Sequence, residues 1–208
     1  MIIKSAEFIM SNTDIKKCPP ANLPEYAFIG RSNVGKSSLI NMLTNHKKLA
    51  KISTKPGKTQ LINHFLINSE WYLVDLPGYG YAKTSKSLRT TWAGFIKKYL
   101  MQRENLVCIF VLIDSRHEPQ KIDLDFMYNL AINQLPFAMV FTKTDKLNKN
   151  KLSNSLENYF IEMAKSWEHP PINFTTSSTT KHGRNDLLDY IDDLNESEVS
   201  KKIKSKVY

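Results

Sequence analysis

Gly30, Arg31, Ser32, Asn33, Val34, Gly35, Lys36 and Ser37 run consecutively between an apolar stretch at 26–29 and a stretch carrying Leu39, Ile40 and Leu43 at helical spacing. This is GxxxxGKS set between a strand pattern and a helix pattern, the context that gives the motif its meaning. The glycines let backbone amides close around phosphate groups, and the following helix presents its positive end to them. Lys36 is placed to neutralise charge on β and γ phosphates, and the Ser37 hydroxyl to ligate Mg²⁺. Such a loop commits the chain to an α/β fold, and the remaining pattern agrees. Further apolar runs at 61–67, 72–76, 106–113, 137–142 and 172–175 alternate with helical stretches beginning at Lys36, Leu88, Lys121, Lys151 and Arg184. Alternation of this kind gives a mostly parallel sheet with helices on both faces. Only Asn68, Ser69 and Glu70 separate the second and third runs, which allows a hairpin and no crossover. The expectation is a P-loop NTPase G domain with a six-stranded, mostly parallel sheet and one antiparallel edge strand.

A chain of 208 residues, 41% of them hydrophobic, has material for one well-cored domain. The two cysteines, Cys18 and Cys108, fit neither a disulfide scaffold nor a zinc module. No run approaches the roughly 18 apolar residues of a membrane span, and the first residues, MIIKSAEFIM, lack a secretory h-region with a cleavage site. A soluble cytoplasmic monomer is expected. His46, His64, His117, His169 and His182 form no ligand pair, and Asp123, Asp125, Asp192 and Asp193 read as solvated charge. The net charge is +9, and the segment 47–103, with eleven basic residues against two acidic, carries a surplus of that same size. A field so asymmetric steers polyanions, nucleic acid first among them, to one face.

Four further elements follow the phosphate loop in order. Asp75, Leu76, Pro77 and Gly78 end the third apolar run, where a carboxylate can hold Mg²⁺ through water and Gly78 can offer its amide to a γ-phosphate. Upstream, Gly57, Lys58, Thr59, Gln60 and Leu61 form a loop whose Thr59 would complete the Mg²⁺ shell only with the γ-phosphate present, as a switch requires. Lys36, Thr59 and Gly78 are therefore the candidate catalytic residues, with Ser37, Thr59 and, through water, Asp75 at the metal. Thr142, Lys143, Thr144 and Asp145 close the run at 137–142. A carboxylate at Asp145 accepts paired hydrogen bonds from guanine N1–H and the 2-amino group, which adenine does not offer. The Lys143 stem can lie along the base. Thr142 stands where asparagine is usual; its hydroxyl can brace the neighbouring loop but not reproduce an amide's donor and acceptor. Thr176, Ser177 and Ser178 could present backbone amides to the guanine carbonyl. Residues 23–195 thus read as a GTP-binding domain, 1–22 as an N-terminal extension and 196–208 as a basic tail.

The stretches GRSNVGKSSLIN, PGKTQ, DLPGYGYA and TKTD resemble the EngB family of bacterial GTPases (also called YsxC or YihA), within the TrmE-Era-EngA-EngB-septin-like G domains. The resemblance spans roughly residues 22–195. It implies a single-domain GTPase that associates with the large ribosomal subunit during assembly and is linked to normal septation and cell division, and it makes threonine acceptable at 142. The basic segment 47–103 would meet ribosomal RNA and proteins.

Many small GTPases orient the attacking water with a glutamine after the DxxG glycine; here that residue is Tyr79. The expectation is slow hydrolysis, accelerated when a partner orders the 47–58 loop. Tyr79 and Tyr81 either stack on RNA bases or pack on the following helix. Asn33 suggests a K⁺ ion held at the phosphate loop, as in related GTPases lacking the glutamine, or an asparagine chosen for turn geometry. Two rival readings are a small-molecule P-loop kinase or ATPase, which would have no need of Asp145, and a membrane-associated G domain.

Overall fold

The computed structural model describes residues 1–50, 61–79 and 86–205, of which 86–93 and 198 are described by their backbone. The element order is β1 (Ala6–Asn12), β2 (Glu25–Gly30), α1 (Lys36–Leu43), β3 (Ile62–Ile67), β4 (Trp71–Asp75), α2 (Lys86–Gln102), β5 (Leu106–Asp114), α3 (Lys121–Ile132), β6 (Phe137–Thr142), α4 (Lys149–Ala164), β7 (Asn173–Thr175), α5 (Arg184–Asn195) and α6 (Glu198–Ser205). Short 3-10 turns stand at Ile15–Lys17 and Thr144–Lys146.

The α/β sheet is as expected, but it has seven strands in the order β1-β3-β4-β2-β5-β6-β7. The strand missing from the six-stranded expectation is β1, inside the segment read as an extension. It pairs antiparallel with β3 from Ala6–Ile67 to Asn12–Ile62, with a bulge between Phe8 and Met10. β3 is also antiparallel to β4, so the one reversed strand lies second from the edge rather than at it. The alternation that would betray β1 is absent because this outermost strand leaves Phe8 and Ile9 exposed. The hairpin expected between β3 and β4 is present: Asn68 and Ser69 take positive φ of 52° and 59°, as a tight two-residue reversal needs. Asn68 also accepts from the amides of Lys4 and Ser5 and donates to the Ile2 carbonyl, tying down the segment that leads into β1.

Apart from polar end residues, β2, β5 and β6 are apolar because both faces are covered. On one face Tyr26, Phe28, Phe110 and Leu112 pack with Leu39 and Ile40 of α1 and Leu187 and Ile191 of α5. On the other, Ala27, Ile29, Ile109 and Val111 pack with Tyr99 of α2, Met127 of α3, and Tyr159 and Met163 of α4. Ile96, Tyr99 and Leu100 of α2 and Tyr159 and Met163 of α4 thus supply core. The segment read as a tail carries α6: Ile203 joins the first cluster, and the Ser200 hydroxyl donates to the Leu194 carbonyl. This layering brings the carboxyl ends of β2, β4, β5 and β6 to one rim, where loops of a parallel sheet form ligand sites.

Candidate nucleotide site

The phosphate loop leaves β2 at Gly30 and enters α1 at Lys36. Gly35 holds φ +105°, a conformation that side chains rarely adopt. Gly78 is required for closeness: a Cβ there would stand 2.8 Å from the Gly30 carbonyl oxygen. The Tyr79 amide donates to that same carbonyl at 3.2 Å, seating the turn after β4 on the phosphate loop. Lys36, buried at the helix start, makes a direct ion pair with Asp75. Burial pushes the Lys36 ammonium below its ordinary value, while the carboxylate against it favours the charged form. Asp75 Oδ2 accepts from Asn63 of β3 at 3.3 Å. A serine hydroxyl and a carboxylate are the hard oxygen donors that Mg²⁺ takes. Among the described residues no group of three or more His, Cys, Asp or Glu side chains that could hold a metal ion occurs.

Thr142, Lys143 and Asp145 lie beside this loop. The Thr142 hydroxyl donates to the Val34 carbonyl at 2.6 Å and stands 3.2 Å from the Ile113 carbonyl, so it braces the phosphate loop. Lys143, at φ 60°, sends its ammonium to the Asn33 carbonyl at 2.6 Å. Asp145 receives the Ser177 hydroxyl at 2.7 Å, and that bond, more than the neighbouring Lys146, holds its carboxyl below the ordinary value. Thr176 accepts the Thr144 amide and hydroxyl on its carbonyl, stitching the two loops together. Ser177 is fixed in turn by the amides of Thr179 and Thr180.

The other expected residues have the following surroundings. Leu76 is core, and its amide donates to Phe28. Arg31 turns its side chain outward to Asp123 of α3, 3.1 Å away. Asp123 is therefore no solvated charge: it is 1% exposed because α3 presents it to the phosphate loop. Burial raises its carboxyl above the ordinary value, with Arg31 and Tyr79 opposing. Tyr79 packs on α3, stacked on Phe126 at 4.5 Å, rather than on the following helix. Asn33 takes φ 62°, where asparagine is favoured for backbone reasons alone. Leu61 is exposed ahead of β3. Gly57, Lys58, Thr59, Gln60 and Tyr81 lie outside the described residues. Ser32 and Ser178 are half-buried on their loops.

A family model described as "50S ribosome-binding GTPase" matches residues 25–143. A probable GTP-binding protein EngB of Christiangramia forsetii is 59% identical over 197 residues, covering 95% of this chain and 100% of its own length. The chain belongs to the EngB family of GTPases. A probable EngB protein of Porphyromonas gingivalis is 57% identical over 201 residues, 97% of this chain and 100% of the relative. Among solved structures, a probable EngB protein superposes with TM-score 0.62 at 23% identity, covering 82% of this chain and 97% of its own, a likeness of fold. Era in complex with MgGDPNP and nucleotides 1506–1542 of 16S ribosomal RNA gives TM-score 0.62 at 26% identity over 82% of this chain and 56% of that one. EngB membership makes the chain a GTP-binding protein that hydrolyses GTP, and it removes the kinase reading. Among the described residues no helix is long and apolar enough to cross a membrane.

Sequence reasoning missed Asp114, at the end of β5. Its carboxylate accepts Arg116 Nε at 2.9 Å and Nη2 at 2.8 Å, and Lys143 Nζ at 2.8 Å. An acidic residue closing an apolar run, as Asp75 also does, is the one signal that could have found it.

Proposed function

We propose that this EngB protein is a slow guanine-nucleotide switch that engages the large ribosomal subunit or its precursor during assembly, and through assembly bears on cell division and septation. The observation that carries the switch is the direct Lys36–Asp75 contact. The phosphate-neutralising cation and the metal-side carboxylate face each other where a nucleotide's phosphates would part them. Lys36 then holds the phosphates, Gly78 offers an amide to the last of them, and Thr59 closes the site from the preceding loop. Ser37 and, through water, Asp75 would hold Mg²⁺, which would supply positive charge against the charge developing on the phosphates. Asp145 accepts from the guanine edge, oriented by Ser177 and flanked by the stem of Lys143. Slow hydrolysis follows from the place of Tyr79, whose ring is committed to Phe126 and whose hydroxyl is buried. A potassium ion at Asn33 forms no part of this reading.

The ribosomal partner is supported by the family description and by the basic surplus in 47–103. Lys47, Lys48, Lys97 and Lys98 are exposed, whereas Arg103 is spent internally on Glu25. Sedimentation of cell extract with GTP analogue or GDP, at low and high salt, tests the partner. Co-migration with large subunits that depends on nucleotide and falls with salt is expected; migration free of subunits in every condition overturns it.

A further inference from the structure

Asp114 is buried at the end of β5, and its carboxylate meets Arg116, Lys143 and, at 3.8 Å, His117 Nε2. Its Oδ1 accepts the Arg116 amide at 3.2 Å and Nε at 2.9 Å. Its Oδ2 accepts Arg116 Nη2 and Lys143 Nζ, both at 2.8 Å. The guanidinium therefore grips the carboxylate from the solvent side in the bidentate manner that fixes its plane, and leaves Oδ2 aimed at Lys143. The second bond of Lys143, to the Asn33 carbonyl, pulls the ammonium toward the phosphate loop. Pinned at both points, its stem passes beside Gly35, where a Cβ would stand 3.5 Å from Lys143 Cε. Arg116 also lies within the field of Asp145.

We propose that Asp114 and Arg116 are positioning residues for nucleotide binding, a buried anion and its outer clamp that hold the Lys143 stem as a preformed platform for the purine face. The inference rests on the assignment of Lys143 and Asp145 to the base. Neither Asp114 nor Arg116 touches the guanine edge in this arrangement. They act through Lys143, lowering the ordering cost of binding.

Calorimetric titration of the full chain with GDP and with inosine diphosphate, both with Mg²⁺, tests this. Inosine lacks the 2-amino group but keeps N1–H, so the GDP-to-inosine ratio reports the 2-amino bond to Asp145. Asp114→Asn and Arg116→Ala are expected to weaken both ligands by the same factor, on the order of tenfold, leaving the GDP-to-inosine ratio at its wild-type value. Arg116→Lys should recover part of the loss, since it keeps the charge and loses the fork. Arg116 is the outer partner, 41% exposed, so Arg116→Ala carries the test even if Asp114→Asn fails to fold. Unchanged GDP affinity in Arg116→Ala overturns the inference, and so does a loss confined to GDP, which would place Arg116 on the base edge. Asp145→Asn is the control: if it keeps both affinity and ratio, the base site itself is misassigned, whereas its loss beside a silent Arg116→Ala sinks only the platform.

Discussion

Thr142 shows what a single hydroxyl contributes where this base motif usually carries an amide. Its bond to the Val34 carbonyl crosses from β6 to the phosphate loop, and so does the Lys143 bond to Asn33. Replacing Thr142 by valine keeps the shape and leaves a buried carbonyl without its donor, which costs about 1–3 kcal/mol. Urea unfolding of Thr142→Val without nucleotide should show that loss as a lower midpoint at unchanged slope; an unchanged midpoint would remove the brace. Lys36, Asp75, Lys143 and Asp145 were legible as residues because their spacing along the chain carries the chemistry. Asp114 and Asp123 were not. The cation that meets each buried carboxylate across the fold, Lys143 for Asp114 and Arg31 for Asp123, comes from a distant stretch of chain, and only the acidic end of an apolar run hints locally at Asp114.

The second strand and the second helix are joined by an ion cluster that sequence patterning also conceals. Glu25, fully buried at the start of β2, accepts the Tyr99 hydroxyl at 2.7 Å and Arg103 Nε at 2.9 Å, with His64 Nε2 3.5 Å away. Burial works to raise its carboxyl; the His64 ring and the Arg103 guanidinium prevail and bring it down to about 2. A carboxyl depressed in the folded state gives stability that is present above its ordinary pKa and is lost as pH falls from about 4.5 toward 2. Arg103→Met strands the carboxylate and should destabilise the protein by about 3–5 kcal/mol at neutral pH. Chemical denaturation across that acid window should show the gap to wild type narrowing as Glu25 protonates. A gap that stays constant would mean Arg103 acts by packing alone. The strands with apolar runs and the hairpin were readable because covering or local turn chemistry fixes them. β1 and α6 were not, since each is held by partners far along the chain and shows solvent much of its surface.

For the whole molecule, the charge asymmetry seen in composition can be followed only at the described bases of 47–103: Lys47, Lys48, Lys97 and Lys98 are exposed, while Arg103 is absorbed in an internal pair with Glu25. The fold gathers residues from four loops to one rim, and the account stands on that rim holding a guanine nucleotide through Lys36, Ser37, Asp75 and Asp145. Binding calorimetry with Mg²⁺, titrating GDP and ADP separately into wild type and Asp145→Asn, tests this most directly. Strong heats are expected for GDP and none for ADP, with GDP affinity in the variant reduced by roughly two orders of magnitude; ADP binding as tightly as GDP, or a variant that keeps full GDP affinity, would overturn the assignment of this rim to a guanine nucleotide.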